Sequence, residues 1–331
     1  MSPKAFIGKF NYYYENVNDE SLNKGKINRF FMFIDYLFAF VFHGCSITNY
    51  FVYGFYGMKH RERKKYVTWR RQKWIYKQCN EDEYGYLLRD KDHINTNFNE
   101  YLGRDWKISN KIEYEEFEDF VEKNPSFIVK PIHGTEGEGI YKYENLEDKE
   151  LKEVFNKFKM EEYLYETYIR QAPAINNIHP SSVNTLRIAT VRNKDGVNIM
   201  SASLRMGRHG DVMDNYTTGG LVAAIDLETG IIKVPGVDKL HNSYVLHPET
   251  KTQIIGLQIP YWEETKALVK ELGQVVPQVR YTGWDIAITD KGPILLEGNY
   301  RGNFHVQQHS DHVGKYEIYK KAIARIDDRG N

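Results

Sequence analysis

The spacing of apolar residues changes along the chain, and the elements follow from that change. Up to about Cys79 the pattern is helical and dense in Phe and Tyr. Its most apolar run, Phe30–Phe42, is interrupted by Asp35 and falls short of the ~20 residues a membrane-spanning helix needs, so it predicts a buried or interfacial helix. Ile112, Phe117, Phe120 and Val121 share one helical face over Lys111–Lys123, with Ser109 or Asn110 as the cap and Asn124-Pro125 as the stop. Leu151, Val154, Phe155 and Phe158 do the same over Leu146–Lys159, and Asn95–Leu102 predicts a shorter helix. Between these helices Phe127–Pro131, Ile140–Tyr143 and Tyr163–Ile169 read as strands. From Ser181 onward the chain is strand-rich: Ser181–Val191, Val197–Met206 and Leu221–Ile225 precede a helix at Trp262–Gly273. A hairpin follows, with Trp284–Thr289 and Ile294–Leu296 joined by the Asp290–Pro293 turn, and Lys315–Arg325 closes the chain as a helix.

At 331 residues the chain is too long for one small core. Lys+Arg and Asp+Glu are both 45, so no global charge bias points to nucleic acid. Two cysteines, Cys45 and Cys79, give neither a disulfide framework nor a metal cluster, which fits a cytoplasmic protein, and no signal-peptide pattern is present. Charge is uneven locally. Lys59–Lys77 is a basic block with Glu62 as its one acid and Trp69, Trp74 and Tyr76 interleaved. That block reads either as solvated helix faces with aromatics packed behind, or as a peripheral contact for an anionic membrane or a phosphorylated substrate.

Three places carry candidate chemistry. In the hairpin, Glu297 and Asn299 are two apart and share a face, and Asp285 arrives from the paired strand. Two carboxylates and an amide form an all-oxygen site suited to Mg²⁺. The stretch His133–Gly139 (HGTEGEG) follows a strand ending Lys130-Pro131; its glycines would let backbone N–H groups approach a phosphate, with Lys130 adding a point charge. Arg187 lies inside an otherwise apolar strand and needs an anionic partner. His305 and His309 lack a convincing zinc spacing.

Taken in order, LLRDKDHINTNF, FIVKPIHGTEGEGI, YLYETYI, SSVNTLRIATV, DNYTTGG and GWDIAITDKGPILLEGN resemble the ATP-grasp superfamily, most closely its sugar-transfer-associated branch. The resemblance covers about Leu87 to Gln308. It implies an α+β fold in which two lobes, residues 81–168 and 169–331, grip ATP behind an N-terminal helical segment, 1–80. It implies that Lys130, with Lys91 as a weaker candidate, contacts the phosphates under a mobile lid, Gly134–Gly139, with His133, Gly134, Thr135, Gly137 and Gly139 as nucleotide-binding candidates. Glu166 and Ile169 match the strand beside adenine; Asp285, Glu297 and Asn299 match the Mg²⁺ ligands; Arg187, Arg205 and Arg208 match the groups holding the γ-phosphate and the acceptor. The implied activity is ligation of a carboxylate to an amine through an acyl phosphate, on small, sugar-linked substrates of surface polysaccharide assembly. A kinase on the same scaffold and a nucleotide-binding scaffold protein are the alternatives.

Overall fold

The computed structural model describes residues 2–18, 27–133, 139–210, 214, 216 and 219–326. The N-terminal helices are α1 (Pro3–Asn16), α2 (Arg29–His43), α3 (Ile47–Val52), α4 (His60–Arg63) and α5 (Trp69–Cys79). Ser2 caps α1 and Asn28 caps α2 by accepting backbone N–H bonds, and Gly44 at φ 62° ends α2 in the left-handed region. A side chain at Gly44 would also run into Arg70. Phe10, Tyr13, Tyr36, Tyr50 and Phe51 pack α1, α2 and α3 into one aromatic cluster, in which Tyr13 stacks on Phe51 at 5.3 Å. The basic stretch is partly absorbed into packing. Ile75 and Tyr76 enter the core with Tyr281, Phe304 and Tyr319, and Arg71 lies 3.8 Å over the Tyr316 ring.

Next come α6 (Lys91–Asn97), β1 (Trp106–Ile108), α7 (Tyr114–Lys123), β2 (Ser126–Pro131), β3 (Tyr141–Glu144), α8 (Asp148–Phe158) and β4 (Tyr163–Thr167). The strands form a four-stranded antiparallel sheet in the order β1-β4-β2-β3. α7 and α8 cover one face through Phe117, Phe120, Leu151, Phe155 and Phe158, which meet Phe127, Val129 and Tyr165. Alternation then turns Lys130 and Glu166 to the opposite, uncovered face. The expected cap of α7 is corrected: Glu113 forms a capping box with Glu116, while Ser109 bonds Glu161 O at 2.6 Å inside a short 3₁₀ turn.

The remainder contains α9 (Pro173–Asn176), β5 (Leu186–Asn193), β6 (Gly196–Met206), β7 (Leu221–Ala224), β8 (Gly236–Val237), β9 (Ser243–Tyr244), α10 (Trp262–Val275), β10 (Tyr281–Thr289), β11 (Gly292–Asn299), α11 (His305–Gln308) and α12 (Tyr316–Ile323). Its seven-stranded antiparallel sheet runs β11-β10-β5-β6-β7-β8-β9. α10 and α6 pack one face, with Val269, Leu272, Ile94 and Phe98 on Leu186, Ile188 and Trp284; α5 and α12 close the other. β5 starts later than the apolar pattern predicts. Asn184, fully buried, donates to the carbonyls of Ile175 and His179, which ties Ser181–Thr185 into a turn.

Candidate active site

The ladder of the large sheet builds the site. Antiparallel register sets Glu297 opposite Asp285, Asp285 opposite Arg187, and Arg187 opposite Ser203, so one rung of four strands carries two carboxylates and a guanidinium. Arg187 grips Asp285 bidentately, at 2.5 and 2.9 Å. Arg205 joins from two residues along β6, at 3.3 Å from Asp285 and 3.2 Å from Asp214, and donates to Thr185 Oγ1 at 2.9 Å. Asp214 also accepts from the Thr185 backbone and hydroxyl. Asn299 completes the group, donating through Nδ2 to Asp285 at 3.4 Å, which leaves its Oδ1 available.

The two carboxylates titrate in opposite directions. Burial alone would raise Asp285, but Arg187 and then Arg205 overcome it and hold the carboxyl below its ordinary range. Glu297 is accessible to solvent yet walled by protein; loss of hydration first, and the Asp285 charge second, raise its pKa. The Lys130 charge acts on Glu297 in the opposite sense, so the uncovered face of the small sheet and the rung of the large one share a space. A hard divalent cation would relieve the crowding of Asp285 and Glu297, and Asn299 Oδ1 adds a third oxygen. Among the described residues no group of three or more His, Cys, Asp and Glu is placed to hold a metal, so such an ion would need the amide and further oxygens from a ligand.

On the small-sheet side, Lys130 Nζ lies 2.7 Å from Glu166, and Lys91 Nζ donates to the carbonyls of Pro131 and Ile132 at 3.0 and 3.2 Å. Burial, and then the neighbouring Lys130 charge, lower the Lys91 pKa. The Glu166 side chain points into the protein. Its carboxylate is buried and taken up by Lys130, by Arg104 at 3.2 Å and by Asn95 at 2.8 Å. It is the counter-ion that positions Lys130. Arg104 also donates to the carbonyls of Leu295 and Leu296 on β11, at 2.5 and 3.4 Å, and so straps the two sheets together.

Other expected residues fall outside this constellation. Arg208 meets Asp238 at 3.2 Å and Tyr244 Oη at 2.9 Å, and no described bond joins it to the rung. His133 is exposed and 3.4 Å from Glu162. Gly139, at φ 73°, returns the chain against Pro131, and Ile169 lies two residues beyond the end of β4. Gly134, Thr135 and Gly137 lie outside the described residues. Sequence reasoning missed Asn95, Arg104 and Asp214. The signal for a partner was present, since a carboxylate in the apolar strand around Glu166 demands a cation. A separate groove of ≈ 1070 Å³, lined by Trp69, Lys73, Tyr76, Glu81 and Arg280 among others, contains none of these carboxylates or phosphate-side lysines.

The family model described as sugar-transfer associated ATP-grasp matches residues 75–315. No curated protein matches the chain. Among solved structures, the ATP-grasp ligase PsnB complexed with minimal precursor, Mg and ADP matches at 14% identity, covering 75% of this chain and 61% of that one, with a TM-score of 0.46. N5-carboxyaminoimidazole synthetase from Staphylococcus aureus complexed with ADP matches at 12% identity, over 73% and 52%, with a TM-score of 0.45. The synthase from Aspergillus clavatus, in complex with ADP and its aminoimidazole ribonucleotide, matches at 9% identity, over 75% and 54%, with a TM-score of 0.46. The chain therefore spans less than two thirds of the length of each of these three proteins.

Proposed function

Because the chain belongs to the sugar-transfer associated ATP-grasp family, we propose that it is an ATP- and Mg²⁺-dependent ligase that joins a carboxylate to an amine. The observation that carries this reading is the rung Glu297–Asp285–Arg187, with Asn299 and Arg205 beside it, across from Lys91 and Lys130. Asp285, Glu297 and Asn299 would hold the ion, which when bound neutralises phosphate oxygens and orients them.

The chain's own residues account for the rest of the chemistry. Lys130 is fixed by Glu166 and Lys91 by two carbonyls, so both ammonium groups are pre-positioned for the α- and β-phosphates. Arg187 and Arg205 lie where charge spreads as the acceptor carboxylate attacks the γ-phosphorus and the bond to ADP breaks. The resulting acyl phosphate loses phosphate when the amine attacks its carbonyl carbon, and the amide forms. The family's association with sugar transfer supports a sugar-linked carboxylate or amine in polysaccharide assembly as substrate.

The test is ATP turnover with a panel of uronic acids and amino acids, in the presence of hydroxylamine. Hydroxamate formation is expected, and turnover should fall at least 100-fold in both Glu297→Gln and Asn299→Ala. Phosphate transfer to an acceptor without hydroxamate would make the protein a kinase. Wild-type turnover in both variants would remove the metal assignment.

A further inference from the structure

α2 is apolar on the side that faces away from the protein. Its inward stripe is narrow: Met32, Tyr36, Ala39 and His43 are buried at helical spacing. The outward positions, among them Phe30, Phe31, Ile34, Phe38, Val41 and Phe42, are exposed by between 40% and 70%. An ordinary surface helix carries several charges on its outer side, and this one carries a single acid, which is paired. Asp35 is held bidentately by Arg63 at 2.9 and 2.7 Å and accepts from Tyr50 Oη at 2.7 Å. Asp35 is the one charged residue between Phe30 and Phe42; it stays paired although its side chain is 37% exposed, and the exposed aromatic and aliphatic positions around it carry no charge. A bare apolar stripe of this kind marks an interaction surface.

What surrounds the stripe selects the partner. Arg29 stands at its N-terminal end. At the other end Arg70 donates to the carbonyls of Phe40 and Val41, the His60 ring lies 5.8 Å from Phe38, and the neighbouring Arg61 side chain is 91% exposed. The described acids nearby are already engaged, Glu15 with Arg29 at 3.5 Å and Glu62 with Lys65 at 2.6 Å and, more loosely, with Arg61 at 3.6 Å. A second copy packed antiparallel on this face would bring these cations against one another with no unengaged acid among the described residues to pair them. An anionic lipid surface satisfies both parts, taking apolar side chains into its acyl boundary and cations at its headgroups. The 15-residue helix extends roughly 22 Å at 1.5 Å per residue, short of the ~30 Å hydrocarbon thickness, and no described helix is long and apolar enough to cross a membrane.

We propose that α2 lies in the plane of an anionic bilayer surface and anchors the protein there through its outward aromatic face. This reading rests on α2 and its basic rim alone and is independent of the ligase assignment. It also moves the contact from the basic block, whose aromatic residues are partly spent on the core, to the helix before it.

The experiment is vesicle flotation of the full chain with phosphatidylcholine vesicles, with and without phosphatidylglycerol, alongside light scattering without lipid. The wild type should float with the anionic vesicles and remain monomeric in their absence. Phe31→Glu/Val41→Glu, at exposed positions, should lower partitioning at least tenfold with an unchanged thermal midpoint, and Arg61→Glu by roughly fivefold. The proposal is overturned if the wild type fails to float with anionic vesicles, or if the double variant floats equally well. A wild-type dimer that the double variant dissolves, without vesicle binding, would assign the face to a second copy instead.

Discussion

Replacing Glu166 with Gln tests whether the small sheet is organised around a buried charge. The wild-type carboxylate is 1% exposed and is held by Lys130 at 2.7 Å, Arg104 at 3.2 Å and Asn95 at 2.8 Å. A glutamine can keep the bond from Asn95 to its Oε1, but its Nε2 then points a donor at two cations. Removing one partner of a buried ion pair costs about 3–5 kcal/mol, because the remaining charge is left uncompensated. A second route gives the same order. Burial raises this carboxyl, but Arg104 and then Lys130 overcome that and depress it from 4.5 to about 2. At 1.36 kcal/mol per unit, that difference is worth about 3 kcal/mol.

The sign follows from where the proton binds. The folded state holds the carboxylate ionised, so its stabilisation is complete above the unfolded value of 4.5 and is lost as pH falls towards 2. Urea unfolding of the wild type and of Glu166→Gln at pH 7 should therefore differ by about 3–5 kcal/mol, and the variant should lack this part of the acid-induced loss. Lys130→Met leaves Glu166 paired with Arg104 and Asn95, so it should lose less stability than the glutamine variant while weakening Mg·ATP binding measured by calorimetry. The reasoning fails if Glu166→Gln unfolds within about 1 kcal/mol of the wild type, or if its stability falls with acid along the same curve.

Two further outcomes follow from local geometry. Asn49 Oδ1 accepts from the Ser46 and Trp69 backbone N–H groups, so its Nδ2 must face His305 Nε2 at 2.7 Å, and that nitrogen must be unprotonated. Burial, with the Lys9 charge adding, lowers His305 from 6.5 to about 4, so up to about 3 kcal/mol should be lost as pH falls through that window; His305→Gln should flatten the loss in unfolding curves taken at several pH values. A Cβ at Gly302 would sit 3.0 Å from Gly283 Cα and 3.2 Å from its N, both backbone atoms on the strand that carries Asp285. Gly302→Ala should therefore destabilise by about 1–3 kcal/mol in urea unfolding; an unchanged midpoint would show that the loop after β11 gives way freely.

What could be read from the residues alone divides along a physical line. Glu297 and Asn299 were legible as neighbours because period 2 sets them on one face and the hairpin returns Asp285 beside them, but the pairing of Asp285 with Glu297 depends on a bulge at Leu296 between the turn and the site, which turn register alone does not give. Arg187 announced a missing anion by standing in an apolar strand, and the anion is the residue directly across the ladder. Arg104 and Asp214 come from connections and Asn95 from α6, and their placement depends on how these pieces dock on the two sheets, which no period encodes. Arg208 follows β6 by two residues, where alternation no longer dictates direction, and there it pairs with Asp238. β8 and β9, at two residues each, are too short to show any alternation.

α2 fails in a more instructive way. A helix that is apolar all round satisfies a buried site and an interfacial site equally well, because the pattern records what a surface is made of and not what covers it. Its one acid supplies the discriminating fact, and only in three dimensions. Had α2 been meant for the interior on every side, Asp35 would carry a buried charge with no particular direction to prefer. Instead Arg63 and Tyr50 hold it in place, so that the helix's one acid is neutralised while its side chain stays 37% exposed, and the outward aromatic positions carry no charge. The site between the sheets follows the same logic with the sign reversed: Glu166 is neutralised by Arg104 and Lys130 with a hydrogen bond from Asn95, whereas at Glu297 burial and the Asp285 charge outweigh Lys130, Arg187 and Arg205 and keep its pKa raised. Where a fold settles some charges and leaves a neighbouring surface unsettled, the unsettled part is where a ligand contributes most.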